Sequence, residues 1–393
     1  MRKILVMIPA GEVYDHSCVR WYNYRDIAKN LSRYYNVGDG FVYDSSLKLL
    51  DFEQIDVLNI VNPSPAEIDR YNAEYQYVFL RGSNYIHTRM QWKETVAVLE
   101  KLKIPVLAFG IGAQAAAKEA LALSDETQRV LRLMADSTTS IGVRGAYTAE
   151  VLADLGIRNV RIVGCPTAFR CNDPDMRIEL PPLETVKSVG FTVRREVSKT
   201  YAADIATYLT VQRDSIKAMA DRYGLELMAQ GEIEEKTLVM GDPDQRAAAL
   251  AALQSNEWLS QWFLDDRIIE LYMNNMFFSD VVRDYEARIC QKDVVLGYRL
   301  HGNLLALANA IPAIYFCYDA RTAEFAETFS IPSYDIYSGT PFALEEYWQQ
   351  SAFDRFNVTF QQRYRDMSSF LDENAIAHHM RRAREAGVHR QVA

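Results

Sequence analysis

Asp293-Val-Val-Leu-Gly-Tyr-Arg299-Leu-His301-Gly-Asn-Leu-Leu-Ala-Leu-Ala-Asn-Ala-Ile-Pro312-Ala-Ile-Tyr-Phe316 reads as a strand, a tight turn, a short helix and a second strand. The apolar runs from Val294 to Tyr298 and from Ala313 to Phe316 suit short buried strands, and Pro312 marks the entry to the second. Between them, small residues and leucines at helical spacing fit a crossover helix, so the unit is βαβ with parallel strands. Arg299 and His301 then fall at the carboxyl end of the first strand, where the helix begins. Open α/β sheets hold ligands in that crevice, and a helix N-terminus there favours an anion. An arginine adds a fork of donors shaped for phosphate or carboxylate, and a histidine two residues on can move a proton near neutral pH. The stretch predicts acid–base chemistry on an anionic small molecule. An Arg-x-His triplet alone is common; the βαβ setting gives it weight.

The same alternation extends outward. Strand-like runs recur at 2–9, 55–61, 77–80, 106–109, 140–143 and 160–163, with helical periodicity clearest over 91–103, 125–135 and 146–155. Strands alternating with helices predict a parallel α/β sheet covered on both faces. Three strand ends carry glycine turns: Arg81-Gly-Ser83-Asn84, Gly110-Ile-Gly-Ala-Gln114 and Gly164-Cys-Pro-Thr167. Each can be a plain tight turn, but their repetition on one edge suggests a cleft wall. None is a dinucleotide fingerprint or a Walker loop. Asn36-Val-Gly-Asp39 reads as a turn with a capping Asp. The segment from Gly11 to Asp26 is dense in Tyr, Trp, Arg and Asp; Tyr14, Trp21, Tyr22 and Arg25 would suit a sugar ring, or would pack a surface helix. A proline-containing stretch without periodicity places a boundary near 183, after which Ser188-Val-Gly-Phe-Thr-Val-Arg194-Arg195 opens a second domain. Alternation of side chains sends Arg194 and Arg195 to opposite sides. Helical sequence covers 202–223 and 232–275, with a strand at 226–229 between them. The expected domains are 1–183, 184–340 and a helical tail, 341–393.

Hydrophobic residues make up 49% of the 393 and charged residues 24%, an ordinary globular composition. The net charge of −9 argues against broad nucleic-acid binding. No run of 18 apolar residues predicts a transmembrane helix, and the opening residues read as a strand rather than a signal peptide. Five scattered cysteines without CxxC spacing indicate neither a disulfide framework nor a zinc site, so the cytoplasm is the expected compartment. His378 and His379 are adjacent, a poor spacing for metal from one helix face. The basic run around them reads as a solvated helix face, with approach to the inner membrane surface as the alternative.

Arg299-Leu300-His301-Gly302, the small-residue helix, "AIPAIYF" and Tyr318-Asp319-Ala-Arg321 together resemble the signature of the polysaccharide pyruvyl transferase family. "FLRGSNYIH", "PVLAFGIGAQ" and "IGVRGAYTAEVLADLGIRNVRIVGCPTAF" are similar to family segments, and Asn36-Val-Gly-Asp39 resembles its N-x-G-D element, here displaced along the chain. The chain departs from the pattern at Cys165, where the family often has Asp, and at Arg321, where it usually has Lys. The resemblance covers most of 30–340 and implies an α/β fold of two Rossmann-like domains facing a cleft, glycosyltransferase-B-like. It implies transfer of pyruvate from phosphoenolpyruvate to a sugar as a ketal, with release of phosphate and no cofactor.

On that reading His301 is the acid–base group, and Arg194, Arg299, Leu300 and Gly302 bind the donor, with Arg195 as the adjacent competitor to Arg194. The acceptor, a free or lipid-linked sugar, would lie near Tyr14, Trp21, Tyr22, Arg25, Arg81, Ser83 and Asn84. Asp39, Gln114, Arg144, Asp319 and Arg321 would support the site, and no metal is expected. Two other readings stay open: a nucleotide-sugar glycosyltransferase of the same architecture, and a non-catalytic carbohydrate-binding or scaffold member. The acceptor's identity and the oligomeric state are not legible.

Overall fold

Six short strands of the first half lie parallel. They are β1 (Lys3–Val6), β4 (Gln54–Val57), β5 (Val78–Leu80), β6 (Val106–Ala108), β7 (Ile141–Val143) and β8 (Val160–Ile162). A hairpin of β2 (Glu12–Asp15) and β3 (Cys18–Arg20) follows β1. The order is β4-β1-β5-β6, and a parallel bridge between Ile111 and Val143 carries the sheet on into β7-β8. The computed structural model describes residues 2–15, 18–20, 31–195 and 202–381.

The second half is a six-stranded parallel sheet of β9 (Ser188–Thr192), β10 (Gly224–Met228), β11 (Met276–Phe277), β12 (Val294–Gly297), β13 (Ala313–Cys317) and β14 (Ser333–Asp335). Its order, β11-β10-β9-β12-β13-β14, reverses between β9 and β12, the doubly wound Rossmann pattern with a ligand crevice at the reversal. Thr192 and Gly297 are register partners there, so whatever follows each strand is brought to one place. The first half reverses likewise between β1 and β5.

One apolar core joins the halves. The helices Val37–Leu49 and Leu300–Ala308 contact each other, and Val37, Phe41 and Val42 of the first share one buried cluster with Leu304, Leu305 and Leu307 of the second. Each such buried side chain contributes about 1.5–3 kcal/mol by leaving water. An ion-pair knot crosses the same seam: Arg170, 1% exposed at its side chain, grips Glu286 at 2.6 Å and Asp44 at 3.0 Å. Glu324 of the second half accepts from the backbone N–H of Thr148 at 2.7 Å in the first.

The expected tail is not a separate unit. The helix Gln350–Glu373 buries Phe353, Phe356, Phe360, Tyr364, Met367 and Phe370, a stripe at helical spacing, and runs back onto the first half. There Phe370 meets Phe109, Phe360 and Tyr364 meet Phe169, and Glu373 pairs with Arg161. Residues 378–381, the described part of the basic run expected to be helical, depart from that reading, since His378 forms an antiparallel bridge with Leu50; the expectation for 382–393 lies outside the described residues. The reason is local, since Asn374 ends the helix and Ala375 turns the chain at φ 57°. Residues 232–275 break into four helices, Ile233–Met240, Pro243–Ser255, Glu257–Trp262 and Asp266–Asn275, three of them opened by Asp or Asn caps.

Candidate active site

The turn after β12 is stitched before it carries any chemistry. Gly297 sits at φ 122°, and a Cβ there would lie 2.7 Å from the Thr192 carbonyl oxygen, so only glycine lets the two strand ends close. The Thr192 hydroxyl donates to Asn303 Oδ1 at 3.1 Å and accepts from the Arg299 N–H at 3.1 Å. Asn303 Nδ2 donates to the Gly297 carbonyl at 2.9 Å. Arg299 is thereby fixed as the residue that opens the Leu300–Ala308 helix. Its Nε donates to the Val193 carbonyl at 3.0 Å, and its Nη2 pairs with buried Glu232.

Arg194 leaves the end of β9 beside it. Its N–H donates to Gln212 Oε1 at 2.9 Å, and its carbonyl accepts from Tyr208 and Gln212 at 3.0 and 3.1 Å. Its guanidinium stands 5.3 Å over the Tyr318 ring and donates to that hydroxyl. Arg195 turns the other way, bound to Glu234 and to buried Glu235 at 2.9 Å. The alternation read in the sequence therefore separates the two arginines, and Arg194 is the one at the cleft.

Both halves close this cleft, a space of about 170 Å³. The second half contributes Arg194, Tyr298, Arg299, Leu300, His301, Tyr318 and Arg321; the first contributes Tyr34, Asn36, Asp39, Ser83, Asn84 and Gln114. Gln230, beyond β10, completes it. Two helices start at its wall. Asn36, not Asp39, caps Val37–Leu49 by accepting from the Gly38 N–H at 3.0 Å, and Arg299 opens the facing helix. Two helix N-termini and three arginines make a site for an anion.

His301 lies among cations. Burial and then Arg144, Arg321, Arg81 and Arg299 hold its pKa well below the ordinary imidazole value, so it is neutral in the ligand-free protein. Its Nε2 is buried and has no hydrogen-bond partner among the described residues. Burial pushes Glu232 up, but Arg299, Arg195 and Arg194 outweigh it and keep this carboxylate ionised.

Several expected residues stand behind the cleft rather than in it. Arg81 is buried and ties Asp39 at 3.3 Å to the Ile8 carbonyl at 3.2 Å, an anchor for the wall with no surface for a sugar. Arg144 is 1% exposed, donates to Asn84 Oδ1 and stacks 4.7 Å from Phe325. By holding that oxygen it leaves the Asn84 amide hydrogens for the cleft. Asp319 caps the helix Ala320–Phe329 through Thr322 at 2.8 Å and pairs with Arg321 at 3.3 Å. Gly302 lies inside, against Thr192 and Gln230. The Gly164–Thr167 turn is a correction: Cys165 and Thr167 are fully buried, and the segment packs the core instead of walling the cleft. The expectations for Trp21, Tyr22, Arg25 and the Tyr14 side chain lie outside the described residues. Tyr34, Gln230, Glu232, Tyr298 and the hydroxyl of Tyr318 belong to the site without having been expected from the sequence. Gln230 and Glu232 carried one signal, their position just past a strand end on the same sheet edge.

The sequence model of polysaccharide pyruvyl transferases matches residues 36–319. The chain belongs to that family. The matched stretch runs from the Asn36 cap to Asp319, so it takes in residues from both sides of the cleft and the Arg299-Leu300-His301-Gly302 motif, and stops two residues short of Arg321. No curated protein matches the chain in sequence. Among solved structures it is similar to the UDP-GlcNAc 2-epimerase of Methanocaldococcus jannaschii, in complex with UDP-GlcNAc and UDP. That match has 11% identity and a TM-score of 0.46, over 94% of this chain and 100% of that one. It is also similar to S. aureus MnaA bound to UDP, with 11% identity and a TM-score of 0.43 over 96% and 99% of the two chains. A UDP-forming α,α-trehalose-phosphate synthase from Burkholderia vietnamiensis matches at 11% identity and a TM-score of 0.42, over 95% and 98%. Among the described residues no helix is long and apolar enough to cross a membrane.

Proposed function

We propose that this pyruvyl transferase family member moves pyruvate from phosphoenolpyruvate onto a sugar as a cyclic ketal and releases phosphate. One observation carries the reading: Arg194 and Arg299 meet at the strand-order reversal, with Arg321 and neutral His301 in the same cleft. The donor carries a carboxylate and a phosphate, and guanidinium forks bind both bidentately. The balance of the reaction needs proton movement. Two sugar hydroxyls each lose a proton; one proton reaches C3 of the enol and the other leaves with phosphate. Protonation at C3 makes C2 an oxocarbenium-like centre, which the first hydroxyl attacks. The C2–O bond to phosphate then breaks, and the second hydroxyl closes the ring. In this reading His301 carries the proton to C3. It must first gain one, and an anion that offsets the surrounding arginines raises its proton affinity.

Calorimetric titration with phosphoenolpyruvate tests the donor, wild type beside Arg299→Ala. Saturable binding that the variant loses supports the reading. No binding, with hydrolysis of UDP- or GDP-sugars in its place, moves the assignment to a nucleotide-sugar glycosyltransferase.

A further inference from the structure

The Tyr318 hydroxyl occupies an unusual position. The residue is 3% exposed, and its ring stacks on Tyr298 at 5.8 Å and meets Tyr208 edge-on at 5.1 Å, so it cannot swing. Its oxygen accepts from Arg194 on one side and from Arg321 Nη2 at 2.6 Å on the other. A phenol oxygen has two lone pairs and one hydrogen. Two guanidinium donors use both lone pairs and repel the hydrogen, so the O–H must point away from both. No acceptor among the described residues takes it, and Tyr318 lines the cleft.

We infer that Tyr318 is a second proton-transfer group of the proposed reaction: it protonates the departing phosphate oxygen. The inference rests on the phosphoenolpyruvate reading and extends it. Arg194 and Arg321 are the cations that flank this hydroxyl, so an anionic phosphate held by them lies against its O–H. As the C2–O bond breaks, its electron pair stays on the phosphate oxygen, which takes the phenolic proton. The tyrosinate left between two guanidinium groups then takes the proton of the second sugar hydroxyl as that oxygen bonds to C2. Atoms, charge and protons close without any further reactant. His301, having given its proton to C3, takes that of the first sugar hydroxyl as that oxygen bonds to C2, so His301 and Tyr318 each give and regain one proton per cycle.

Two variants test this, with phosphate release from phosphoenolpyruvate measured on a mixture of methyl galactoside, glucoside, mannoside and N-acetylmannosaminide. Tyr318→Phe keeps the ring stack and removes only the hydroxyl. It is expected to lower kcat on the order of 10²- to 10⁴-fold, with the calorimetric Kd for phosphoenolpyruvate staying within a few-fold. Replacement of Tyr318 by 3-fluorotyrosine keeps the hydroxyl but makes it more acidic. The alkaline limb of the kcat profile is expected to move to lower pH, which a residue that only props up two arginines would not do. Near-wild-type kcat in Tyr318→Phe, or an unmoved alkaline limb in the fluorinated protein, overturns the inference. Absence of phosphoenolpyruvate binding by the wild type overturns the donor reading itself, a separate outcome.

Discussion

Arg299 has two duties in the structure, and a double substitution separates them. It neutralises Glu232, a carboxylate 1% exposed, and it faces the cleft. Arg299→Met alone leaves that carboxylate buried without its main counter-charge, which costs about 3–5 kcal/mol of stability. Arg299→Met combined with Glu232→Met removes both charges and keeps apolar volume, so most of that loss returns. Donor affinity follows a different rule. A charge-assisted hydrogen bond is worth about 1.5–3 kcal/mol, so both the single and the double variant are expected to bind phosphoenolpyruvate roughly 10- to 10²-fold more weakly. Urea unfolding followed by tryptophan fluorescence reads the stability, and calorimetry reads the donor. A double variant that regains stability and binds phosphoenolpyruvate like the wild type refutes the reasoning. Arg299 would then exist for Glu232 alone, and the donor would have to be held elsewhere.

Further tests follow from single contacts. Arg195→Ala strips the partner from buried Glu235 and should lower stability in urea while leaving the donor Kd within a few-fold; Arg194→Ala should weaken the donor more than tenfold. An added Cβ at Gly82 would sit 2.6 Å from the Gly110 carbonyl oxygen, backbone against backbone, so Gly82→Ala should cost about 1–3 kcal/mol in the same unfolding assay. His301 provides a pH signature. Its folded pKa is depressed, so between that value and about 6.5 the unfolded chain binds more protons. The contribution is complete above that window and is lost as pH falls through it. His301→Asn should flatten this part of the stability curve; an unchanged curve would mean that the imidazole is not buried neutral. Donor binding should also take up a proton, seen as a calorimetric enthalpy that varies with the ionisation heat of the buffer, and lost in the same variant.

Much of the fold was legible because strand, turn and helix signals are local. Val294 to Phe316 announced its own βαβ unit, and the parallel sheet on either side of residue 183 followed from the same alternation. Strand order was not legible, since pairing β9 with β12 is a contact between residues about a hundred positions apart in the chain. That pairing puts Arg194 beside Arg299, so the most informative feature of the site lay beyond a local reading. Two-residue β11 and three-residue β14 are too short to show a period. Arg81 misled for a related reason: the sequence showed an arginine at a glycine turn but not the Asp39 and Ile8 contacts that bury it. Glu232 was invisible as a counter-ion because its partner is 67 residues away.

The helix Gln350–Glu373 has a consequence for synthesis. Phe109 and Phe169 of the first half are covered by residues near the far end of the chain. At roughly 5–20 residues per second, the interval between translation of the first half and of that helix is on the order of 10–40 s. During it the nascent first half carries an open aromatic seam, ready for a chaperone or for a neighbouring chain. The helix Gln350–Glu373 therefore works as a closing bolt, and truncation before Phe353 should leave an aggregating chain even though every described cleft residue is already made.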